Sequence, residues 1–399
     1  LELGVFSLSD INPDSGDTAR SRIDDIIDYG KLAERHGLDI FGVGEHHSPA
    51  FAVSSPAVLL SAVAQATSRI KLATTATVLT VLDPVRLYQD FATLDLISHG
   101  RVEIVAGRSA FAEPFPLFGE DMARYDETFA EKLDLLLKIR SDDPVSWRGT
   151  VRPPLDAARI VPRATAILPV WVAVGGTPES AQRAGRLGLP MMLGLIGGTI
   201  DQARRIVDIY REAGRRAGHA DDRLSVGITS HFHVGETEAQ ARERFFPYYQ
   251  RYLSPKTNGG RGWHVERSDM DKAAEPRGAL MVGSPQEVAP RILDLRATLR
   301  IDRFMGQVDL GGMPKDMVAS SIRLFGETVV PAVRVPVEMA ISRVTFSSFI
   351  AEMTACVARV IGRCLGCGVF DGPSADSTAS APRTASRRTA LSERSPRTT

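Results

Sequence analysis

The chain has 399 residues, 43% of them hydrophobic, and balances 48 Lys plus Arg against 48 Asp plus Glu. That length allows a large core, and the balance leaves no bulk charge to recruit nucleic acid or an anionic membrane. No apolar run reaches the ~18 residues a bilayer span needs.

The start, LELGVFSL, lacks the charged and long apolar regions of a secretory signal, and Leu1 in place of methionine points to a trimmed beginning. The cysteines (Cys356, Cys364, Cys367) all lie in the last fifth of the chain. A disulfide framework is thereby excluded from the main body, and a reducing cytoplasm is the expected setting.

From residue 3 to about residue 333, short apolar runs alternate with amphipathic stretches. The runs predict strands at Leu3–Leu8, Asp39–Gly44, Lys71–Leu79, Val102–Ala106, Pro169–Val174, Met191–Leu195, Ser225–Val234 and Arg303–Asp309. Helical patterns separate them at Arg22–Arg35, Pro56–Ala66, Pro84–Ile97, Tyr125–Ile139, Thr177–Arg186, Ile200–Ala217, Glu236–Tyr252 and Pro285–Leu299, and a last helix is predicted at Pro314–Val330. Ser55-Pro56, Asp83-Pro84, Thr177-Pro178 and Ser284-Pro285 place a capping residue or proline at helix starts.

Strands interleaved with helices imply a parallel sheet buried on both faces. Eight such units favour closure into a (β/α)₈ TIM barrel over an open sheet, which would want a Gly-rich turn where Phe6-Ser7-Leu8-Ser9-Asp10 stands. Two long connections, Ser141–Leu168 and Ser254–Leu280, interrupt the rhythm; the second is read either as a lid over the barrel mouth or as an insertion without a role. The barrel is assigned to residues 1–335, with an appended segment at 336–399 that is expected to be disordered from about residue 371. Cys364 and Cys367 have redox or zinc spacing but no second ligand pair nearby.

Chemistry in a barrel collects at the carboxyl ends of its strands. There the sequence places Phe6, Glu45-His46-His47, Thr74-Thr75-Ala76-Thr77, Gly107-Arg108 and Gly175-Gly176-Thr177, the last opening into Pro178-Glu179-Ser180. Converging amides at Gly175-Gly176, a helix start and the fixed charge of Arg108 would suit a phosphate; equally, the glycines could be only a tight turn and Arg108 a solvated rim charge. Glu45, His46 and His47 could ligate a metal, but no third well-placed ligand is obvious. His231 and His233 fall at another strand end. With no nucleophile elbow and no cysteine in the barrel, cofactor-borne chemistry is favoured.

These residues resemble the luciferase-like, flavin-dependent monooxygenases, from about Leu3 to about Val333. The blocks carrying the resemblance are Glu45-His46-His47, Ala76–Leu79 leading to Asp83-Pro84-Val85-Arg86, Leu94–Arg101, Leu117-Phe118-Gly119, Pro169–Ser180, Leu187–Leu193 and Val282-Gly283-Ser284-Pro285. The resemblance implies a barrel, usually dimeric, holding reduced FMN or, in some branches, the deazaflavin F420. O₂ would react with the flavin to give a C4a-hydroperoxide that oxygenates a small organic substrate.

By the same resemblance His46 and Glu45 form the catalytic set, and Phe6, Thr75, Ala76, Arg108, Gly175, Gly176, Thr177 and Ser180 bind the cofactor. Thr75-Ala76 falls where the family has a non-prolyl cis peptide, and Ser254–Leu280 where it has a mobile loop. Gly175 and Gly176 replace polar side chains of luciferase's phosphate loop, and Gly107 replaces a cysteine, so light emission is not implied. No reductase module is present, so a separate NAD(P)H:flavin reductase is the expected partner. The alternatives are F420-dependent hydride transfer on the same barrel, a catalytically silent flavin-binding protein, and a metal-dependent hydrolase built on Glu45, His46 and His47.

Overall fold

The computed structural model describes residues 1–109, 111–254, 262 and 264–334. The three cysteines, the polar segment at 371–399, the appended unit assigned to 336–399 and positions 255–261 and 263 of the second long connection lie outside the described residues.

Eight parallel strands form a closed ring. In chain order they are β1 (Glu2–Ser7), β2 (Ile40–Val43), β3 (Lys71–Thr74), β4 (Val102–Gly107), β5 (Val170–Val174), β6 (Met191–Gly194), β7 (Val226–Val234) and β8 (Arg303–Gln307). Each pairs with its sequence neighbour, and β8 closes on β1 with Glu2 opposite Arg303 and Phe6 opposite Gln307. This is the TIM barrel that the alternation of runs predicts. Each crossover helix buries one stripe on the strands: Ala19–Arg35, for example, buries Ile26, Tyr29 and Ala33.

The barrel interior is a separate apolar layer of Phe6, Ile40, Ala73, Val105, Trp171, Met192 and Met305. Beneath it, at the amino-terminal end, Arg303 is fully buried and ion-paired to Glu103 at 2.6 Å and Glu2 at 2.5 Å, with its guanidinium 4.2 Å from the Trp171 ring centre. Lys71 adds a contact to Glu2 at 2.5 Å. Burial pushes the Glu2 carboxyl up, but Arg303 and Lys71 outweigh it and hold the group below its usual range.

Local differences from the sequence reading have physical reasons. The strand predicted over Lys71–Leu79 breaks after Thr74 and resumes at Thr77–Val78, on either side of a cis Thr75–Ala76 peptide. Within Ser141–Leu168, Val145–Trp147 pairs antiparallel with Leu155–Ala158, and Trp147 donates to Asp134 at 2.9 Å. Within the second long connection, Arg267–Ala273 is helical. A short strand, Met281–Gly283, pairs with the upper part of β7. The last helix, Lys315–Leu324, passes through a π-turn at Phe325–Val329 before Val330–Arg334. Asp83 caps its helix through Val85 and Arg86, and Ser284 forms a capping box with Glu287. Ser55 and Thr177 make no side-chain cap bond, so there the proline carries the start.

Candidate active site at the barrel mouth

All ten residues singled out from sequence lie at the carboxyl-terminal mouth of the barrel or on its inner wall. They fall into a ring-side group, on β1 to β3, and an anion-side group, on β4 and β5.

On the ring side, Glu45 is a buried structural hub. Its Oε2 accepts from the Thr77 hydroxyl at 2.8 Å and the Val78 amide at 3.0 Å, while Oε1 faces His47 Nε2 at 2.9 Å. It therefore ties the end of β2 to the chain just past the cis peptide. The Glu45 amide also donates to the Ala76 carbonyl at 3.3 Å.

The neighbouring His46 is half-buried. Its ring stacks on Phe51 with centres 3.9 Å apart and meets Phe111 edge-on at 5.2 Å. Burial, with His47 as a second contribution, pushes its pKa down to about 3. The imidazole is therefore neutral at ordinary pH.

Thr75 and Ala76 follow on the next strand. Gly42 is bare for a reason: a Cβ there would come within 2.6 Å of Thr75 Cγ2 and 2.9 Å of Phe6 Cβ. Its absence lets Thr75 lean over the interior layer, where the Thr75 hydroxyl is buried without a partner. Phe6 caps that layer from β1 and Ala76 packs against it.

On the anion side, Arg108 Nη2 donates to Ser180 Oγ at 2.7 Å and to Thr177 Oγ1 at 3.4 Å, and its guanidinium lies 5.0 Å from the Tyr125 ring centre. Nη1 is paired with Asp126, which also meets Arg183 at 3.4 Å. Burial raises the Asp126 carboxyl, yet the two guanidiniums prevail and hold it below the usual range. Gly176 has a φ of +100°, and a Cβ on Gly175 or Gly176 would meet nothing within 4 Å. The turn is open space before the helix Pro178–Arg186, whose first amides point to it.

This arrangement fits a flavin phosphate and ring. The anion side offers a guanidinium, hydroxyls and free amides, and the ring side offers an apolar floor with an unsatisfied hydroxyl. Among the described residues no group of three His, Cys, Asp or Glu side chains is placed to hold a metal, and both oxygens of Glu45 are already engaged. A cavity of about 510 Å³ sits at the far, amino-terminal end among Arg211, Arg300 and Asp302, away from this chemistry. The space beside His46 is only about 10 Å³, lined among others by His47, Ser109 and Phe111.

Asp126 and Arg183 escaped the sequence reading, since neither belongs to a strand end; their helical positions carry no motif. Thr77 and Val78, the partners of Glu45, were also missed as such. A further set closes the other half of the mouth. Ser7 Oγ donates to Asp309 at 2.5 Å, Gln307 Nε2 donates to Asp10 at 3.4 Å, and His231 meets Tyr252 edge-on at 5.3 Å. The strand-end position of His231 was the one available signal.

Known proteins place this geometry in context. The chain is 26% identical over 347 residues to the 4-hydroxyprotoasukamycin monooxygenase of Streptomyces nodosus subsp. asukaensis, spanning 83% of this chain and 92% of that protein. A shorter match, 31% over 172 residues, covers 41% of this chain and 51% of the F420-dependent glucose-6-phosphate dehydrogenase of Amycolatopsis mediterranei.

Among solved structures, monooxygenase RslO1 from Streptomyces bottropensis superposes with a TM-score of 0.74 at 25% identity, over 83% of this chain and 99% of that one. The oxygenating constituent of 3,6-diketocamphane monooxygenase from Pseudomonas putida, solved with FMN, gives 0.68 at 20% identity, over 84% and 99%. The family model for luciferase-like monooxygenases matches residues 1–302. With that match spanning most of the barrel, the chain belongs to the luciferase-like monooxygenase family.

Proposed function

We propose that the protein is a flavin-dependent monooxygenase that takes reduced FMN from a separate NAD(P)H:flavin reductase and oxygenates a small organic substrate with O₂. The observation that carries this reading is the Arg108–Ser180–Thr177 cluster at an open glycine turn, at the same barrel mouth as a neutral, aromatic-stacked His46. The first would hold the phosphate of FMN; Phe6, Thr75 and Ala76 would lie against its ring system. Bound reduced FMN supplies the electrons and the atom at which O₂ is activated.

The chain's own residues then have distinct tasks. Arg108 and the amides after Gly176 would hold the anionic end, and the unpartnered Thr75 hydroxyl would be available to hydrogen-bond the bound cofactor. Phe51 and Phe111 keep water from His46, whose neutral imidazole is free to donate or accept one proton. Glu45 orients His47 and the Thr75–Val78 segment rather than meeting the substrate, so its part in the catalytic set is positional.

A second reading, hydride transfer with F420, is favoured by the F420-dependent relative. Flavin fluorescence titration with FMN, riboflavin and F420, followed by O₂ uptake with NADH and a free-standing reductase, decides between them. Tight FMN binding, weak riboflavin binding and reductase-dependent O₂ uptake support the monooxygenase. F420 reduction without O₂ supports the alternative, and failure to bind either cofactor rejects both.

A further inference from the structure

The buried polar atoms without a partner among the described residues include the Thr75 hydroxyl, already placed in the cofactor cradle, and Nδ1 of His231, which lies outside every residue assigned to it. His231 is 2% exposed. It stands on β7 in register with Gln307 of β8, which is in register with Phe6 of β1. Neighbours in register on parallel strands point to the same side of the sheet, and Phe6 belongs to the interior layer. The imidazole therefore faces inward at the top of that layer, on the half of the ring away from Arg108.

Its surroundings hold it there. The rings of Tyr252 and Tyr249 meet it edge-on at 5.3 and 5.9 Å from the helix Glu238–Leu253. Gln307, the adjacent polar group, already donates to Asp10. A buried polar atom left unpaired is costly, so a fixed imidazole with an open nitrogen is a place where a ligand recovers free energy.

The chemistry of the ligand follows from the charges. Buried Asp10 and Asp309 lie on this wall. The guanidinium interacting with Asp309 belongs to Arg22, which is itself engaged by Asp17 and by the Met313 carbonyl at 3.2 Å. Burial lowers the His231 pKa to about 4, so the ring brings no positive charge. A carboxylate would be desolvated here beside Asp10 and Asp309, with the Arg22 guanidinium already engaged.

We propose that His231 is a substrate-binding residue whose open Nδ1 hydrogen-bonds a neutral carbonyl or hydroxyl oxygen of the organic substrate, and that this wall rejects anionic substrates. The inference rests on the monooxygenase reading and narrows its substrate class. His233, two residues further along β7, is the internal control: its Nδ1 is also unpaired, but its ring is stacked on Phe245 under the covering helix.

The test uses the full chain with ¹⁵N-histidine labelling and oxidised FMN, titrated with cyclohexanone, cyclohexanol and cyclohexanecarboxylate as probes of equal ring size. The His231 signals are assigned by their loss in His231→Phe. Both neutral probes are expected to shift the His231 Nδ1 resonance and leave His233 unmoved, and the carboxylate to bind at least tenfold more weakly than the ketone. His231→Phe should weaken cyclohexanone about tenfold without loss of FMN binding, and His231→Asn should recover most of it.

Equal binding of the carboxylate, or no His231 response to either neutral probe, overturns the proposal; if His231→Phe does not fold, loss of the same signals in His231→Asn supplies the assignment, and the wild-type ketone and carboxylate affinities need no variant. FMN binding without a probe response rejects this inference alone; absence of FMN binding rejects the functional reading beneath it.

Discussion

The Glu45 carboxylate and the Val78 amide, 3.0 Å apart, join the end of β2 to the chain beyond the Thr75–Ala76 peptide. Thr77 completes the contact through its hydroxyl at 2.8 Å. Without that carboxylate, a buried amide and hydroxyl at the barrel mouth are left unpaired, and His47 loses its acceptor. Glu45→Ala should therefore destabilise the fold by about 2–4 kcal/mol in urea unfolding, whereas Glu45→Gln, which keeps an acceptor oxygen, should cost about 1 kcal/mol. A loss for Ala no greater than for Gln would remove Glu45 from its place as the hub.

Arg108 makes a prediction about ligand discrimination. Arg108→Ala should weaken FMN by about 10- to 100-fold while changing riboflavin affinity less than about threefold, since only FMN carries the phosphate. Arg108→Lys should fall between them, because an ammonium supplies charge without the guanidinium fork. Fluorescence quenching by the two flavins reads this directly. Parallel losses for both would place the arginine elsewhere in the mechanism.

His46 separates binding from turnover. His46→Ala should reduce substrate-dependent O₂ uptake by about 10²- to 10⁴-fold with FMN affinity changed only severalfold, as expected for a proton-handling group. Its pKa is held at about 3 by burial and then by His47. The wild-type rate should accordingly show no inflection near pH 6.5 that His46→Ala abolishes; such an inflection would mean that the imidazole is solvated during turnover.

Three histidines with lowered pKa also shape stability against pH. Burial brings His46 and His233 to about 3 and His231 to about 4, with His47 and Arg244 adding to the first and second. In the unfolded chain each binds its proton near pH 6.5, so between that pH and the folded value the unfolded state holds more protons. Their contribution is complete above pH 6.5 and is lost as pH falls toward 4 and 3. Each adds a slope of up to about 1.4 kcal/mol per pH unit. Unfolding free energies at pH 7, 6, 5 and 4 should fall less steeply in His233→Phe than in the wild type.

The strand order was legible because buried parallel strands are continuous apolar runs, and Pro84, Pro178 and Pro285 each mark a helix start. The strand-end rule likewise brought Glu45, His46, Arg108 and Gly176 to one mouth. What could not be read was set by contacts between distant positions. Ser7 finds Asp309 from 302 residues away, and Asp126 reaches Arg108 from a helix with no signature of its own. The Trp147 hairpin was hidden because its strands are three and four residues long and half exposed, too short for alternation to register.

The buried Arg303 ion cluster predicts its own fragility. Arg303→Met leaves buried Glu103 and half-buried Glu2 with only the partly exposed Lys71 as a counter-charge and should destabilise the barrel by about 3–5 kcal/mol. The loss should shrink when Glu103→Leu is added, because the remaining uncompensated charge is reduced. Thermal or urea unfolding of the single and double variants checks it.

That knot of charge, with Trp171 pressed on it, makes the barrel a vessel with a sealed base. Among the described residues, the opposite end is the doorway, with Phe111 on one jamb and Tyr252 on the other. On the monooxygenase reading, a product would leave past the place where its precursor entered, and arrivals and departures would have to take turns.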